Sequence, residues 1–346
     1  MKVNAPQTLS ILAVAALPEL GDLTAADRGL AQLRPPSVRT ITVSKPEERG
    51  QIEPLIVNSD FVKDATLCRD RAYLIHGEIH VRSGVTLTIE DGTTILIRNG
   101  LRPARTIDTS ALIFDSGSSL RAGTITFASA DEMGARVTQP NNGGVFFCGS
   151  HKNGTKDGIS STFWARSSSF RAERIILDHV GRADPREGDG NNNDRDDIDA
   201  ISIIGVGQRE WNVKAIESHG SGDDGVDIYN STISLDTLIV TNPVEDGVNL
   251  TSSNVTIHCY CSIDMSESAS PDRELFDFEL GNGPCRFTIE KNALAKMSGF
   301  WGSEADDARL KSREMPRPPT LGAPDSRYEF NGTLPQRAVI YSAKTD

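Results

Sequence analysis

Between Trp211 and Ile257 apolar residues come in short alternating runs, and the runs repeat. Trp211, Val213 and Ile216 are answered by Ile233, Leu235 and Leu238, then Ile233 and Leu235 by Val255 and Ile257, each 22 residues on (233 minus 211, 255 minus 233). The polar words between them repeat too: Gly222-Asp-Asp-Gly-Val-Asp-Ile228 is followed by Val244-Glu-Asp-Gly-Val-Asn-Leu250. Alternation with a period of two puts one face of a strand inward. A unit of about 22 residues cannot bury that face alone and must stack on its neighbours. The pattern predicts an all-β chain, a parallel β-solenoid.

The same pattern runs upstream. Leu74, then Ile79 and Val81, Val85, Leu87 and Ile89, Ile95 and Ile97 are broken at Gly77, Gly84 and Gly92. Leu112 and Phe114, Leu120, and Ile125 and Phe127 continue it, with Gly117 and Gly123 at the turns. Phe170, Ala172 and Ile175 match Trp211, Val213 and Ile216 at an offset of 41 (211 minus 170), and the surplus falls in Gly181–Asp197, a predicted inserted loop. Ile201 and Ile203 then match Val226 and Ile228. Residues 1–40 read as an N-terminal helical cap, with two short helices in 8–33 stopped by Pro35-Pro36. The solenoid spans 41–262, beginning with Ile41-Thr-Val43, and 263–346 reads as an irregular C-terminal cap or small appended β region. There, Asp264–Asp277 is loop-like, Phe287–Ile289 and Phe300-Trp301 suggest a further sheet layer, and Tyr328–Tyr341 reads as a hairpin turning at Asn331-Gly332.

Composition narrows the partners. A formal net charge of -12 argues against nucleic acid and anionic membranes, whose phosphates demand basic patches. It suits a glycan, a cation or a protein partner. No apolar run reaches transmembrane length. Leu9–Leu17 has the length of a signal-peptide core but weak flanks, so the start of the sequence, taken at face value, points to the cytoplasm. The five cysteines are too few and scattered for a disulfide framework, and alternation puts Cys259 and Cys261 on the inward face with Ile257.

From Asp60 to about Ile257 the order of phrases resembles bacterial right-handed parallel β-helix proteins of the pectin-lyase-like fold. The words are Tyr73-Leu-Ile-His-Gly-Glu-Ile-His-Val81, Gly84-Val-Thr-Leu-Thr-Ile-Glu-Asp-Gly-Thr93, Leu112-Ile-Phe-Asp-Ser-Gly-Ser-Ser-Leu120 with Gly123-Thr-Ile-Thr-Phe127, Gly143-Gly-Val-Phe-Phe-Cys-Gly149, Gly205-Val-Gly207 and the Asp-Asp-Gly turn. The resemblance implies a right-handed parallel β-helix and an exported or surface-attached protein, in a family where many members have no assigned activity. Pectate lyases and polygalacturonases share the wider fold, which does not carry their function here. The Gly-His-Gly and paired-aspartate set of polygalacturonases does not occur in order.

Stacked strands lie about 4.8 Å apart. The alignment therefore puts Asp199, Asp224 and Asp246 in one column, Ile198, Asp223 and Glu245 in the next, and Ser202, Asp227 and Asn249 in an outward third. Four readings are open. The columns form a turn ladder on backbone amides, bind calcium, hydrolyse a glycoside through paired carboxylates, or hydrogen-bond sugar hydroxyls. His219, just before the turn, is a candidate general base. Candidate catalytic residues are thus Asp223, Asp224, Asp227, Glu245, Asp246 and His219. In the inserted loop, Asp189, Asn191, Asn193, Asp194, Asp196 and Asp197, with Asp199, are candidate calcium ligands, although Asp194 stands where an EF-hand has Gly and Ala200 where it has Glu. The alternative for that loop is a solvated acidic segment. Trp211 aligns with inward Ile233 and reads as core; for Trp164 and Trp301 both core packing and stacking on sugars stay open. The expected function is a non-catalytic binding or structural protein presenting the acidic loop and its neighbouring face to a glycan or protein. The alternative is a polysaccharide lyase or glycoside hydrolase working near the Asp-Asp-Gly turns.

Overall fold

The computed structural model describes residues 53–100, 110–182, 198–265, 274–279, 285–290, 294–299, 328–333 and 338–342. The expected helical cap, the Ile41–Val43 strand, Trp301 and the loop residues Asp189, Asn191, Asn193, Asp194, Asp196 and Asp197 lie outside them.

The described chain is all β, and parallel ladders dominate. A seven-stranded sheet runs Asp277–Glu279, Val248–Thr251, Val226–Tyr229, Ile201–Ile204, Val145–Cys148, Ala111–Phe114, Glu78–Val81, parallel throughout. A second, 15-stranded sheet is built on four long strands, Ser169–Asp178, Trp211–His219, Thr232–Thr241 and Asn254–Asp264. Each long strand serves two rows. Ser169–Asp178 pairs with Ser119–Ala122 through its first residues and with Thr124–Ala130 through its last. Asn254–Asp264 likewise pairs with Arg286–Ile289 and then Leu294–Gly299. These long parallel sheets are consistent with a solenoid or β-helix.

The bend between rows is visible in burial. In Thr232–Thr241, Ile233 and Leu235 point in, Asp236 and Thr237 point away, and Leu238 and Val240 point in again. The apolar spacing of two, then three, at Trp211, Val213 and Ile216 is the trace of that bend. The predicted registers hold: Phe170, Ala172 and Ile175 pair with Trp211, Val213 and Ile216, and Ile233 and Leu235 with Val255 and Ile257. Trp211 is core, edge-on to Phe147 at 5.5 Å between centroids.

Two expectations fail. Cys259 is exposed while Cys261 is buried. The register slips between Leu235 and Thr237, so that Leu235 pairs with Ile257 but Thr237 with Tyr260. One residue, Asp236, thus faces two, His258 and Cys259, and such a bulge lifts Cys259 off the inward face. The second failure is the terminal hairpin. Asn331 and Gly332 lie inside the strand Tyr328–Thr333, which pairs antiparallel with Leu294–Gly299, whereas Ala338–Ser342 pairs antiparallel with Arg286–Ile289. Two open edges, one from each row, outcompete a local turn because each offers a full ladder of unpaired backbone groups.

Turns are held by side chains stacked along the repeats. Ser231 Oγ accepts from Val206 N at 2.9 Å and Ser253 Oγ from Ser231 N at 2.9 Å. Cys285 Sγ continues the pattern, accepting from Ser252 N and donating to Leu250 O. A buried thiol can replace a buried hydroxyl there because both donate and accept.

At the edge of the seven-stranded sheet, His80 Nδ1 is 2.7 Å from Asp115 Oδ1 and Nε2 is 3.2 Å from Glu78 Oε1, while Arg82 bridges Asp60 and Asp115. The hydrogen bond to Asp115, then that to Glu78, pushes the imidazole up to about 9 from 6.5. A raised folded-state value gives a contribution fully present below 6.5 and lost as pH rises through about 9. We expect unfolding free energy to fall by roughly 2 kcal/mol over that interval, after allowing for screening at a partly exposed site. Urea denaturation at pH 6 and pH 10 checks it: the fall in the wild type must exceed that in His80→Gln.

Candidate functional site

The outer face of the seven-stranded sheet changes character along its length. Register places His80, Ile113, Phe146, Ser202, Asp227, Asn249 and Asp277 in one outward row. Its apolar part is covered by a hairpin, Gly154–Lys156 with Ile159–Ser161, whose Ile159 packs with Ala111, Ile113, Phe146, Cys148, Ile198 and Ile204. The hairpin turns at Asp157-Gly158, both at positive φ (51° and 71°), as a type I′ turn requires. That dipeptide is the signal that sequence reasoning passed over.

The hairpin brings Lys156 to the acidic part of the row. Lys156 Nζ stands 3.7 Å from Asp199 Oδ2. Burial pulls its proton affinity down, but the charges of Asp199, Asp227, Asp157 and Asp224 outweigh this and push it well above the ordinary lysine range. Ser202 Oγ donates to Asp199 Oδ2 at 3.2 Å.

The predicted columns are present. Asp224 Oδ1 accepts from Asp246 N at 3.0 Å, and Asp246 Oδ1 accepts from Glu274 N at 2.5 Å. Glu245 N is 3.5 Å from Asp223 O. Each of these turn aspartates therefore ties its repeat to the next, as a turn ladder does. Asp199, Asp223, Asp224, Asp227 and Asp246 are all buried, and Glu245 is half-buried. Burial first, then the charges of Asp199, Asp246 and Glu245, pushes Asp224 well above the carboxylate range. Burial, then Asp277, Glu245 and Glu274, does the same for Asp246. Oxygens of Asp199, Asp223 and Asp224 converge, all within 4.8 Å of one another.

His219 does not join them. It pairs in register with Asp178 on the other sheet, and its Nε2 is 3.9 Å from Glu217 Oε2. The strand ends there, and the chain passes through Gly220 at a φ of 60° before reaching Asp223.

The insertion leaves and returns at one point: Arg182 N donates to Ile198 O at 2.7 Å and Ile198 N to Arg182 O at 2.8 Å. Gly222 passes directly over this pinch, where a Cβ would come within 2.2 Å of Arg182 N. Gly222, the glycine just before the Asp-Asp-Gly word, is thus fixed by close backbone approach.

The role of Glu210 was not visible in the sequence, and Trp164 stood there only as a candidate stacking ring. Glu210, buried, accepts from the amides of Ser150, Ser168 and Gly207 at 2.9–3.2 Å, and from the Ser150 hydroxyl. It fastens both ends of the segment carrying the hairpin. Trp164 is 86% exposed at a positive φ of 71°, with its ring 4.4 Å from that of Phe163, itself 40% exposed. Among the described residues no helix is long and apolar enough to cross a membrane. No family model, no curated protein and no solved structure matches the chain.

Proposed function

We propose that the chain is a right-handed parallel β-helix of the pectin-lyase-like class acting without catalysis, as a rigid binding protein for a glycan. The observation that carries the non-catalytic half is the state of the repeated carboxylates. Asp224 and Asp246 are buried and hydrogen-bonded to the next repeat. A glycosidase needs its carboxylates on either side of an accessible sugar bond, and 2% and 8% exposure at these two leaves no room for one.

The binding half is supported by Trp164. A bulky residue in the left-handed region costs on the order of 1–2 kcal/mol. Here that cost holds an indole in water, beside a second exposed ring. An aromatic face displayed this way suits the C–H face of a pyranose, while the net charge of -12 disfavours stacking on nucleic-acid bases.

A glycan array probed with the whole chain and with Trp164→Gly tests this. Binding should fall at least tenfold in the variant, while its unfolding free energy rises by about 1 kcal/mol as the strain is released. Equal binding by both proteins refutes the platform. Release of reducing ends or unsaturated sugars by the wild type, abolished in Asp224→Asn, would restore the lyase or hydrolase reading.

A further inference from the structure

We propose that Arg121 and Arg171, with the hydroxyls of Thr66 and Thr88, bind a tetrahedral oxyanion ester, sulfate or phosphate, carried on the glycan. This rests on the glycan reading above and names the class of glycan.

The arginines of this acidic chain divide into two groups. Arg71, Arg82, Arg98, Arg136 and Arg174 each sit on a carboxylate. Arg121, Arg166 and Arg171 are exposed and have no carboxylate partner among the described residues. Two of these three are neighbours. Register pairs Arg121 with Arg171 across adjacent strands, between the inward pairs that bury Leu120 and Phe170. Adjacent strands lie about 4.8 Å apart, and like charges directly opposite one another destabilise a sheet. Two guanidiniums held side by side with no acid between them suit an anion that accepts from both forks.

The same row carries hydroxyls and a recess. Arg121 pairs with Thr88, and Thr88 with Thr66. A recess of about 280 Å³ is lined by Asp64, Ala65, Thr66, Thr86, Thr88 and Arg121. That is near the lower bound of about 300 Å³ for small-ligand sites, room for one sugar residue. Asp64, the one acid in this lining, engages the backbone beside it: its Oδ1 accepts from Thr86 N at 2.8 Å. A tetrahedral ester has three outward oxygens, enough for two guanidiniums and a hydroxyl. A carboxylate has two in one plane and is matched by a single fork.

Arg166 joins this row to the exposed indole. Segment 162–168 is fastened to the preceding repeat, where Thr162 N donates to Ser116 Oγ and Gly117 N to Ser168 Oγ, both at 2.8 Å. From that segment Arg166 reaches back to Gly84, where an added Cβ would stand 3.4 Å from its Nη1. Gly84 lies two residues before Thr86, in the recess wall. Trp164 and Arg166 therefore share one segment, and Arg166 runs from it toward the strand that walls the recess. Three arginines make a short patch, not the long basic track that a nucleic-acid backbone needs on a chain of net charge -12. Acids elsewhere on the chain are screened, since the Debye length is about 8 Å at physiological salt.

The test uses the full chain and one oligosaccharide prepared in four forms: neutral, carboxylated, sulfated and phosphorylated. A single-stranded oligonucleotide is included. The two esters should bind at least about tenfold tighter than the neutral and carboxylated forms, and the tighter of the two identifies the ester. Arg121→Gln and Arg171→Gln should each remove roughly fivefold of that preference. Both should leave neutral-form affinity and Tm unchanged, because each removes one of two facing like charges at the surface. Trp164→Gly should instead weaken every form alike. Salt raised from about 50 to 500 mM should weaken only the charged forms in the wild type. Esters bound no better than the neutral form, with Trp164→Gly still weakening all four, overturn this proposal and leave the glycan reading standing. An ester preference unchanged in both arginine variants overturns it equally, because the anion then sits elsewhere. Binding of none of the four overturns both readings. An oligonucleotide bound as tightly as the better ester overturns the proposal in favour of a nucleic-acid surface.

Discussion

Replacing Glu210 with Ala should cost about 3–5 kcal/mol of unfolding free energy. One carboxylate there receives the amides of Ser150, Ser168 and Gly207 and the hydroxyl of Ser150. Hydrogen bonds to an ionised acceptor are about twice as strong as neutral ones. Donors left buried without a partner lose roughly 1–3 kcal/mol each, less where water enters. Ser168 propagates the damage, since its Oγ also donates to Cys148 O and accepts from Gly117 N. Glu210→Gln should recover only part of the loss, because its amide group turns a donor toward donors. Urea unfolding measures the sum, and amide hydrogen exchange locates it in the hairpin segment. A cost under 1 kcal/mol would mean that solvent readily replaces the carboxylate.

Phe147→Ala is the apolar counterpart. Its ring is stacked on Phe114 at 4.8 Å and 5°, and meets Phe170 at 5.1 Å and Trp211 at 5.5 Å, both nearly edge-on. Fully buried, it touches ring faces from three other strands. Deleting it removes both transfer free energy and favourable ring geometry, and leaves a cavity that parallel strands cannot close by sliding, because their register is fixed by the ladders on either side. The expected loss is about 3–5 kcal/mol, with a change in Trp211 fluorescence. Phe147→Leu should lose less than half as much. Equal losses would show that the stacked ring itself, not the volume it fills, carries the stability.

The sequence carried the parts of the fold that follow from side-chain period. Trp211, Val213 and Ile216 declared an inward face and, through their uneven spacing, a bend. The turn columns followed from the same offset, which is why Asp224 and Asp246 were correctly stacked. What failed depended on competition between distant segments. Cys259 turned outward because one extra residue entered the bend in a single repeat. Asn331-Gly332 has the composition of a turn, yet the open edge of Leu294–Gly299 offered more hydrogen bonds than a local hairpin. Lys156 reaches Asp199 from 43 positions away (199 minus 156), across a hairpin whose docking depends on an apolar patch on the outer face. No periodicity encodes a lysine's reach. Of the calcium candidates, Asp199 sits in a repeat and inherits its place from the stack, and the others lie outside the described residues.

The reversed strands at the C-terminal side bear on how a parallel stack is ended. A parallel stack resembles a polymerisation reaction with a live end, since its last strand presents the same template that accepted the one before. Tyr328–Thr333 and Ala338–Ser342 lie across Leu294–Gly299 and Arg286–Ile289 in the opposite direction. The next subunit's parallel strand meets neither the polarity nor the register it would need. The parallel stack is capped at these two strands by segments of its own chain, much as a chain-transfer agent quenches a propagating radical, and the cap is present in stoichiometric amount.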